Sequence, residues 1–226
     1  RFLAAADGCA RILTLAPELP GSGETIRAAC RAGLRVAVGH TDATFEETSR
    51  AIEWGAQHAV HVFNAMRPFS HRETGVIGAV LTDARVTAEV IADGVHVDDP
   101  ALHILLAVKG LERVILVTDA TAATGMPDGT YRLGSIEVTV SGGVCRNREG
   151  HLAGSTLTMD RAVRKIVALG FPLSAAVQMA AVNPARLLGI AGKKGLLSQG
   201  ADADIVLLDD ALQVTCVFAR GHTLRA

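Results

Sequence analysis

Four short stretches each place a chemically capable side chain directly behind an apolar run. They are His40 in VGHTDAT, His61 with Asn64 in HVFNAM, Asp93 with His96 in ADGVH, and Asp119 in RVILVTDATAATG. Imidazole and carboxylate groups are the usual ligands of borderline divalent ions, and a bound ion lowers the pKa of its water toward about 7. The aspartate poses the sharper question. Five residues fit for a buried strand, Val114 to Thr118, lead straight into Asp119, and an unpaired carboxylate at the edge of a core costs several kcal/mol to desolvate. A divalent cation and its water would offset that cost and give the carboxylate a proton to take. Two histidines, a third nearby and an aspartate therefore make an inventory for a hydrolytic metal site, compatible with Zn, Fe, Mn or Co.

Each residue also has an ordinary explanation. A histidine at a strand end is often a hydrogen-bonded loop residue, Asp119 could N-cap the segment ATAATG, and Glu18 could cap the turn after Pro17. Asp7, Asp83, Asp98 and Asp99 read as turn or cap residues, and His71, His103 and His151 as surface groups. His58 and His61 lie three apart on one expected strand and so face opposite sides; His61 is assigned to the site and His58 to the structure. The case for chemistry rests on coincidence of these groups on one side of the molecule.

That side is set by a rhythm. Apolar, β-branched runs at residues 11–16, 35–39, 59–63, 86–91 and 113–118 have centres about 24 to 27 residues apart, room for a strand, a loop, a helix and a return. Between them, SGETIRAACRAG opens on Ser22 as a candidate N-cap, TDATFEETSRAIEWG on a Thr/Asp cap with Glu46 and Glu47 early, and DDPALHILLAVKG has Pro100 in its first turn and Lys109 in its last. Such alternation predicts a parallel sheet, either open and doubly wound or part of a (β/α)8 barrel, with its site at the carboxyl ends of the strands. No GxGxxG follows the first strand, so a dinucleotide fold has no support. After Gly125 the pattern changes to short strands with Gly-rich turns, then helices over LTMDRAVRKIVALG and PLSAAVQMAAVNPARLLG, then strands again in DADIVLLDD and VTCVFARGHTLRA.

Composition narrows the class. Of 226 residues, 49% are hydrophobic but only 4% aromatic, so the core must be aliphatic. A net charge of −1 without a basic cluster argues against a nucleic-acid or membrane-surface partner. The four cysteines (Cys9, Cys30, Cys145, Cys216) form no CxxC pair, which suits reduced thiols and predicts a cytoplasmic location. No apolar run approaches the ~18 residues of a membrane span.

The segments LTLAPE, VGHTDAT, HVFNAMRPFSHRETG, IADGVHVD, LVTDATAATG and GHLAGSTLTMDRAV, in this order, closely resemble the N-acetylglucosamine-6-phosphate deacetylases of the amidohydrolase superfamily. The resemblance implies a (β/α)8 TIM-type barrel of which strands four to eight are present, with a small β-sandwich-like domain at the C-terminal side. It implies a partial barrel over 1–130, a β-hairpin region contacting the active site over 131–155, barrel-covering helices over 156–190 and a small β domain over 191–226. His40 and His61 match metal ligands of the family, Asp119 its general base, and His96 a substrate-contacting histidine that stabilises the oxyanion. The backbone at Asn64 and Ala65, together with Arg72, matches positions that bind the sugar phosphate, and Leu152, Ala153 and Gly154 match a substrate-contacting stretch. Arg72 could otherwise be a solvated loop charge.

The family implies metal-dependent hydrolysis of N-acetylglucosamine 6-phosphate to glucosamine 6-phosphate and acetate, by a homodimer. The third metal ligand, a glutamate in a motif resembling HLEGP, and the His-x-His pair of the first barrel strand have no counterpart in this chain, and Glu18 is not that glutamate. The sequence is thus expected to be a C-terminal portion, with little or no activity if it begins at Arg1. A cyclic-amide hydrolase is the alternative, disfavoured because no lysine stands at a strand end; a catalytically incomplete fragment or binding module is the other.

Overall fold

The computed structural model describes residues 2–225. After a single helical turn, α1 (Phe2–Ala5), five strands lie side by side: β1 (Ile12–Leu15), β2 (Arg35–Val38), β3 (Ala56–Ala59), β4 (Thr87–Val90) and β5 (Val114–Leu116). All pair in parallel, in chain order. Parallel neighbours need crossover connections, and helices supply them: α2 (Ser22–Arg31), α3 (Phe45–Trp54), α4 (Gly75–Thr82) and α5 (Asp99–Lys109).

The register gives the sheet two different faces. Leu13, Val36, Val38, Ala59, Ala88, Val90, Val114 and Leu116 line one, and with Ile26, Ile52, Val80, Leu102 and Leu105 they form the aliphatic core. The other face carries Thr14, Ala37, His58, Thr87, Glu89 and Ile115. Its polar groups satisfy one another: the fully buried His58 has Nδ1 2.7 Å from Thr87 Oγ1 and Nε2 2.8 Å from Glu89 Oε1. His58 therefore ties β3 to β4, a structural role.

Local signals set the helix ends. Thr44 caps α3 in a full capping box with Glu47, satisfying two end amides at once. Asp98 caps α5, and Gly110 follows its last residue, Lys109. The Lys109 ammonium is buried, donating at 2.6 Å each to the carbonyls of Val80, in the last turn of α4, and Asp83, its C-cap.

Three expectations are corrected here. The third strand is AQHA, not residues 59–63. Val60 to Phe63 form a turn beyond it, and His61 (φ 29°) and Phe63 (φ 80°) there have left-handed backbone, which no strand residue adopts. His61 is thus past the strand, not inside it. Ser22 does not cap α2: Gly21 (φ 81°) occupies that position, and the Ser22 hydroxyl donates to Pro17 O at 2.6 Å. The region over 131–155 is not one hairpin, because β6 (Gly129–Leu133), β7 (Ile136–Ser141) and β8 (Val144–Asn147) make a three-stranded antiparallel sheet.

Beyond it come α6 (Met159–Ala168), α7 (Leu173–Val177), a π-helical turn (Gln178–Val182), α8 (Asn183–Leu187), and a second antiparallel sheet of β9 (Ile205–Leu208), β10 (Val214–Ala219) and β11 (His222–Arg225). The α8 segment crosses the amino ends of the parallel strands. Asn183 Nδ2 donates to Leu111 O and Val114 O, both at 2.7 Å, and Leu187 O accepts from Arg35 Nε at 2.9 Å. No helix among the described residues is long and apolar enough to cross a membrane.

Candidate active site

Beyond the carboxyl ends of β2, β3 and β5 the backbone does something uncommon. His40 (φ 48°), His61 (φ 29°), Phe63 (φ 80°), Ala65 (φ 49°) and Asp119 (φ 49°) all lie in the left-handed region. Such conformations cost on the order of 1–3 kcal/mol each and persist where the surroundings over-determine them. Close packing holds the turns: a Cβ at Gly39 would lie 2.2 Å from Val60 Cγ2, so the turn before His40 passes against the start of the turn that carries His61.

The two imidazoles meet. His61 Nε2 is 2.9 Å from His40 Nε2, with the rings edge to face and their centroids 4.7 Å apart. On its other side, His61 Nδ1 is 3.1 Å from the Asn64 carbonyl oxygen. A carbonyl only accepts, so Nδ1 carries the hydrogen and the Nε2 lone pair points toward His40. Two imidazole nitrogens bound to one ion at roughly 2.0–2.1 Å stand about 3 to 3.5 Å apart, close to the spacing seen. The donor types and the tautomer both fit a divalent ion.

The other residues are placed less uniformly. Asp119 is exposed, so the desolvation cost inferred from sequence does not arise here, and its left-handed backbone is the unusual feature instead. Among the described residues no third His, Cys, Asp or Glu side chain joins the histidine pair within metal-binding reach. Asp119 is held through its main chain: its carbonyl accepts from the Ser155 amide at 2.7 Å, Thr121 N donates to Ser155 O at 2.9 Å, and the Ser155 hydroxyl reaches Thr118 O. Gly154 makes this approach possible, because a Cβ there would lie 2.5 Å from Thr121 Cγ2 and 3.0 Å from Asp119 O. Leu152 bridges to Arg146, and Ala153 N donates to Cys145 O at 3.1 Å, so residues 152–155 join β8 to the Asp119 turn.

His96 is fixed by Asp93. Its Nδ1 lies 2.6 Å from Asp93 Oδ2, and Oδ1 takes the amides of Val95 and His96 at 2.8 Å each. Burial works against the Asp93 charge, but the hydrogen bonds from His96 and Val95 outweigh it and hold the carboxyl below its ordinary range. Of the residues matched to phosphate binding, Arg72 is exposed, and the Asn64 amide is turned back onto His61 O at 3.0 Å. That amide is thus not open to a ligand in this conformation. The Ala65 amide makes no backbone hydrogen bond among the described residues.

Sequence reading missed the supports of the His40 turn. Glu18 accepts from Thr41 Oγ1 at 2.5 Å and from the Asp42 amide at 2.8 Å, and Asp42 is gripped by Arg67. Asp42 two residues after His40, Arg67 six after His61 and Glu18 on the loop after β1 give no pattern that marks them as partners; only the fold brings them together.

Several known proteins share this fold and much of its sequence. The chain is 43% identical over 223 residues to an N-acetylgalactosamine-6-phosphate deacetylase of Escherichia coli O157:H7, covering 98% of this chain and 59% of that protein. It is 42% identical over 203 residues to an N-acetylglucosamine-6-phosphate deacetylase of Lysinibacillus sphaericus, 88% of this chain and 52% of that one. It superposes with a TM-score of 0.96, at 45% identity, on a mutant N-acetyl-D-glucosamine-6-phosphate deacetylase of Mycobacterium smegmatis solved in complex with N-acetyl-D-glucosamine-6-phosphate, covering 99% of this chain and 60% of that one. The chain thus spans between half and two thirds of the length of these relatives. The amidohydrolase family model matches residues 16–224, from the end of β1 through the last strand, and the chain belongs to that family.

Proposed function

We propose that this chain forms the catalytic face of a metal-dependent deacetylase that hydrolyses the acetamide of N-acetylglucosamine 6-phosphate, giving glucosamine 6-phosphate and acetate. The observation that carries the reading is the His40–His61 pair, Nε2 to Nε2 at 2.9 Å, with its tautomer set by the Asn64 carbonyl. Relatives named for this deacetylation, at 37% to 45% identity, support the substrate. The five parallel strands are read as strands four to eight of a (β/α)8 barrel, and the small sheets as parts of a β-sandwich-like domain. On the resemblance alone, a cytoplasmic homodimer is also proposed.

The amidohydrolase family generally uses a divalent metal, and a bound ion would supply an acidified water and polarise the amide carbonyl. His40 and His61 would hold it, whether Zn, Fe, Mn or Co. A catalytic site generally has three protein ligands; the resemblance puts the third, a glutamate, in a motif outside this chain. Asp119 takes the proton of the attacking water and returns it to the departing sugar amine. His96, with Nδ1 committed to Asp93, turns Nε2 toward the substrate. Arg72 and the amides at Asn64 and Ala65 receive the phosphate; the Asn64 amide must first leave His61 O. Leu152 to Gly154 contact the sugar while holding the Asp119 turn.

The N-acetylgalactosamine-6-phosphate deacetylase at 43% identity favours a second reading, in which the 4-epimer is the better substrate. The test is metal content and turnover of both sugar phosphates by the intact protein, alongside Asp119→Asn and His61→Ala. Asp119→Asn should keep the metal and lose about 10²–10⁴-fold in kcat, and His61→Ala should lose the metal. Full activity in either variant would refute these assignments, and the ratio of kcat/KM for the two epimers decides between the readings.

A further inference from the structure

We propose that Asp42, Arg67 and Glu18 are positioning residues that fix His40 against His61, and so set the affinity of that pair for a divalent ion. The inference rests on the reading of the two histidines as metal ligands. His40 is not part of a strand; it sits on an exposed, left-handed turn, and its position depends on what grips the residues next to it. The backbone supplies one attachment to the turn that carries His61: Thr41 N donates to Ala65 O at 3.0 Å, and Arg67 N donates to Thr41 O at 2.9 Å. Taken alone, a single bridge of this kind would act as a hinge between the two turns.

Side chains remove that freedom from both sides. Arg67 lays its planar fork on Asp42, with Nε on Oδ1 and Nη2 on Oδ2, both at 3.1 Å, and its remaining nitrogen reaches Glu73. The stem runs beside Gly75, where a Cβ would lie 3.3 Å from Arg67 Cγ and Cδ. From the β1 side, the Glu18 carboxylate takes the Thr41 hydroxyl at 2.5 Å and the Asp42 amide at 2.8 Å, and the same hydroxyl accepts from Ala43 N at 3.0 Å. Loops following three consecutive strands thus converge on the two residues after His40.

Exposure separates this role from a general contribution to stability. The Asp42 side chain is 77% exposed, so the pair is open to water on that side although Arg67 is only 26% exposed, and ion pairs in contact with solvent add little to folding. A bidentate fork fixes direction as well as distance, however, and groups that orient metal ligands typically change metal affinity about 10–100-fold when removed.

The experiment uses the intact protein and the variants Arg67→Met, Arg67→Lys, Asp42→Asn and Glu18→Gln. The readouts are the Zn2+ dissociation constant by chelator competition, the ligand-field absorption of the Co2+-loaded protein, and the melting temperature of the metal-free protein. Arg67→Met should weaken Zn2+ binding about 10-fold or more and alter the Co2+ spectrum, with the metal-free melting temperature near wild type. Arg67→Lys, which keeps the charge and loses the fork, should recover only part of the affinity. Zn2+ affinity within twofold of wild type and an unchanged spectrum in all four variants would overturn the proposal, as would a loss of affinity that merely tracks a loss of metal-free stability. His61→Ala is the control: if it too leaves Zn2+ affinity intact, the metal reading itself has failed.

Discussion

His96 and Asp93 form a closed unit: the carboxylate takes the imidazole Nδ1 at 2.6 Å and the amides of Val95 and His96 at 2.8 Å each. The side chains are 6% and 11% exposed, so solvent can replace few of these bonds. Asp93 thereby directs the opposite nitrogen of His96 outward. Asp93→Asn can offer either its oxygen or its amide nitrogen to Nδ1, and so no longer fixes the tautomer. Steady-state kinetics should show kcat/KM falling about 10-fold or more, with Zn2+ content unchanged. A loss of metal instead would mean that the Asp93 turn supports the His40–His61 pair.

Gly154 has φ 63° and no room for a side chain beside Asp119 O and Thr121. Gly154→Ala must push residues 154–155 away from the Asp119 turn and break the Ser155 N to Asp119 O bond. The expected result is a loss of 1–3 kcal/mol in denaturant unfolding and a fall in kcat at unchanged metal content. A variant with wild-type kcat would show that the Asp119 turn does not depend on this contact.

Burial pushes the Lys109 ammonium down to about 8. The folded state therefore releases this proton near pH 8, while the unfolded chain keeps it to about 10.4. Between these values the unfolded chain binds more protons, so this residue makes stability rise with pH. Relative to Lys109→Met, wild type should gain on the order of 1–2 kcal/mol from pH 8 to 10 in urea unfolding. Parallel pH profiles for the two proteins would contradict this.

Asn183 donates to Leu111 O and Val114 O with its side-chain nitrogen and is 3% exposed. Asn183→Ala leaves two carbonyls with fewer donors under the sheet and should cost about 1–3 kcal/mol in thermal or urea unfolding. Hydrogen exchange should quicken first at the start of β5 and in α8. Uniform quickening across the whole sheet would instead indicate a global effect.

Four of the five strands begin and end within two residues of their apolar runs, because continuous β-branched segments have few alternatives once helices flank them. The third strand was illegible for a physical reason. Its residues, Ala56, Gln57, His58 and Ala59, include polar groups that become acceptable only through Arg35, Thr87 and Glu89 on neighbouring strands. The apolar run just after it was the better strand by pattern and is in fact the turn. Helix α4 was also unmarked. It is apolar on every side and buried almost throughout, with Gly75 and Gly78 in it and no side-chain cap, so neither periodicity nor an end signal identified it. His40 and His61 were legible as chemistry from residue type and place, whereas Glu18, Asp42 and Arg67 required the loops to be folded together.

The left-handed backbone at residues 40, 61 and 119 carries a consequence for variation. Outside glycine, histidine, aspartate and asparagine are the side chains that enter this conformation most readily. Two of those three can also bind metals and carry protons, so the shape of each turn and the chemistry proposed at its tip draw from nearly the same short list. Exchanges within the list can alter the chemistry while leaving the loop intact, and a β-branched replacement is disfavoured at both levels together.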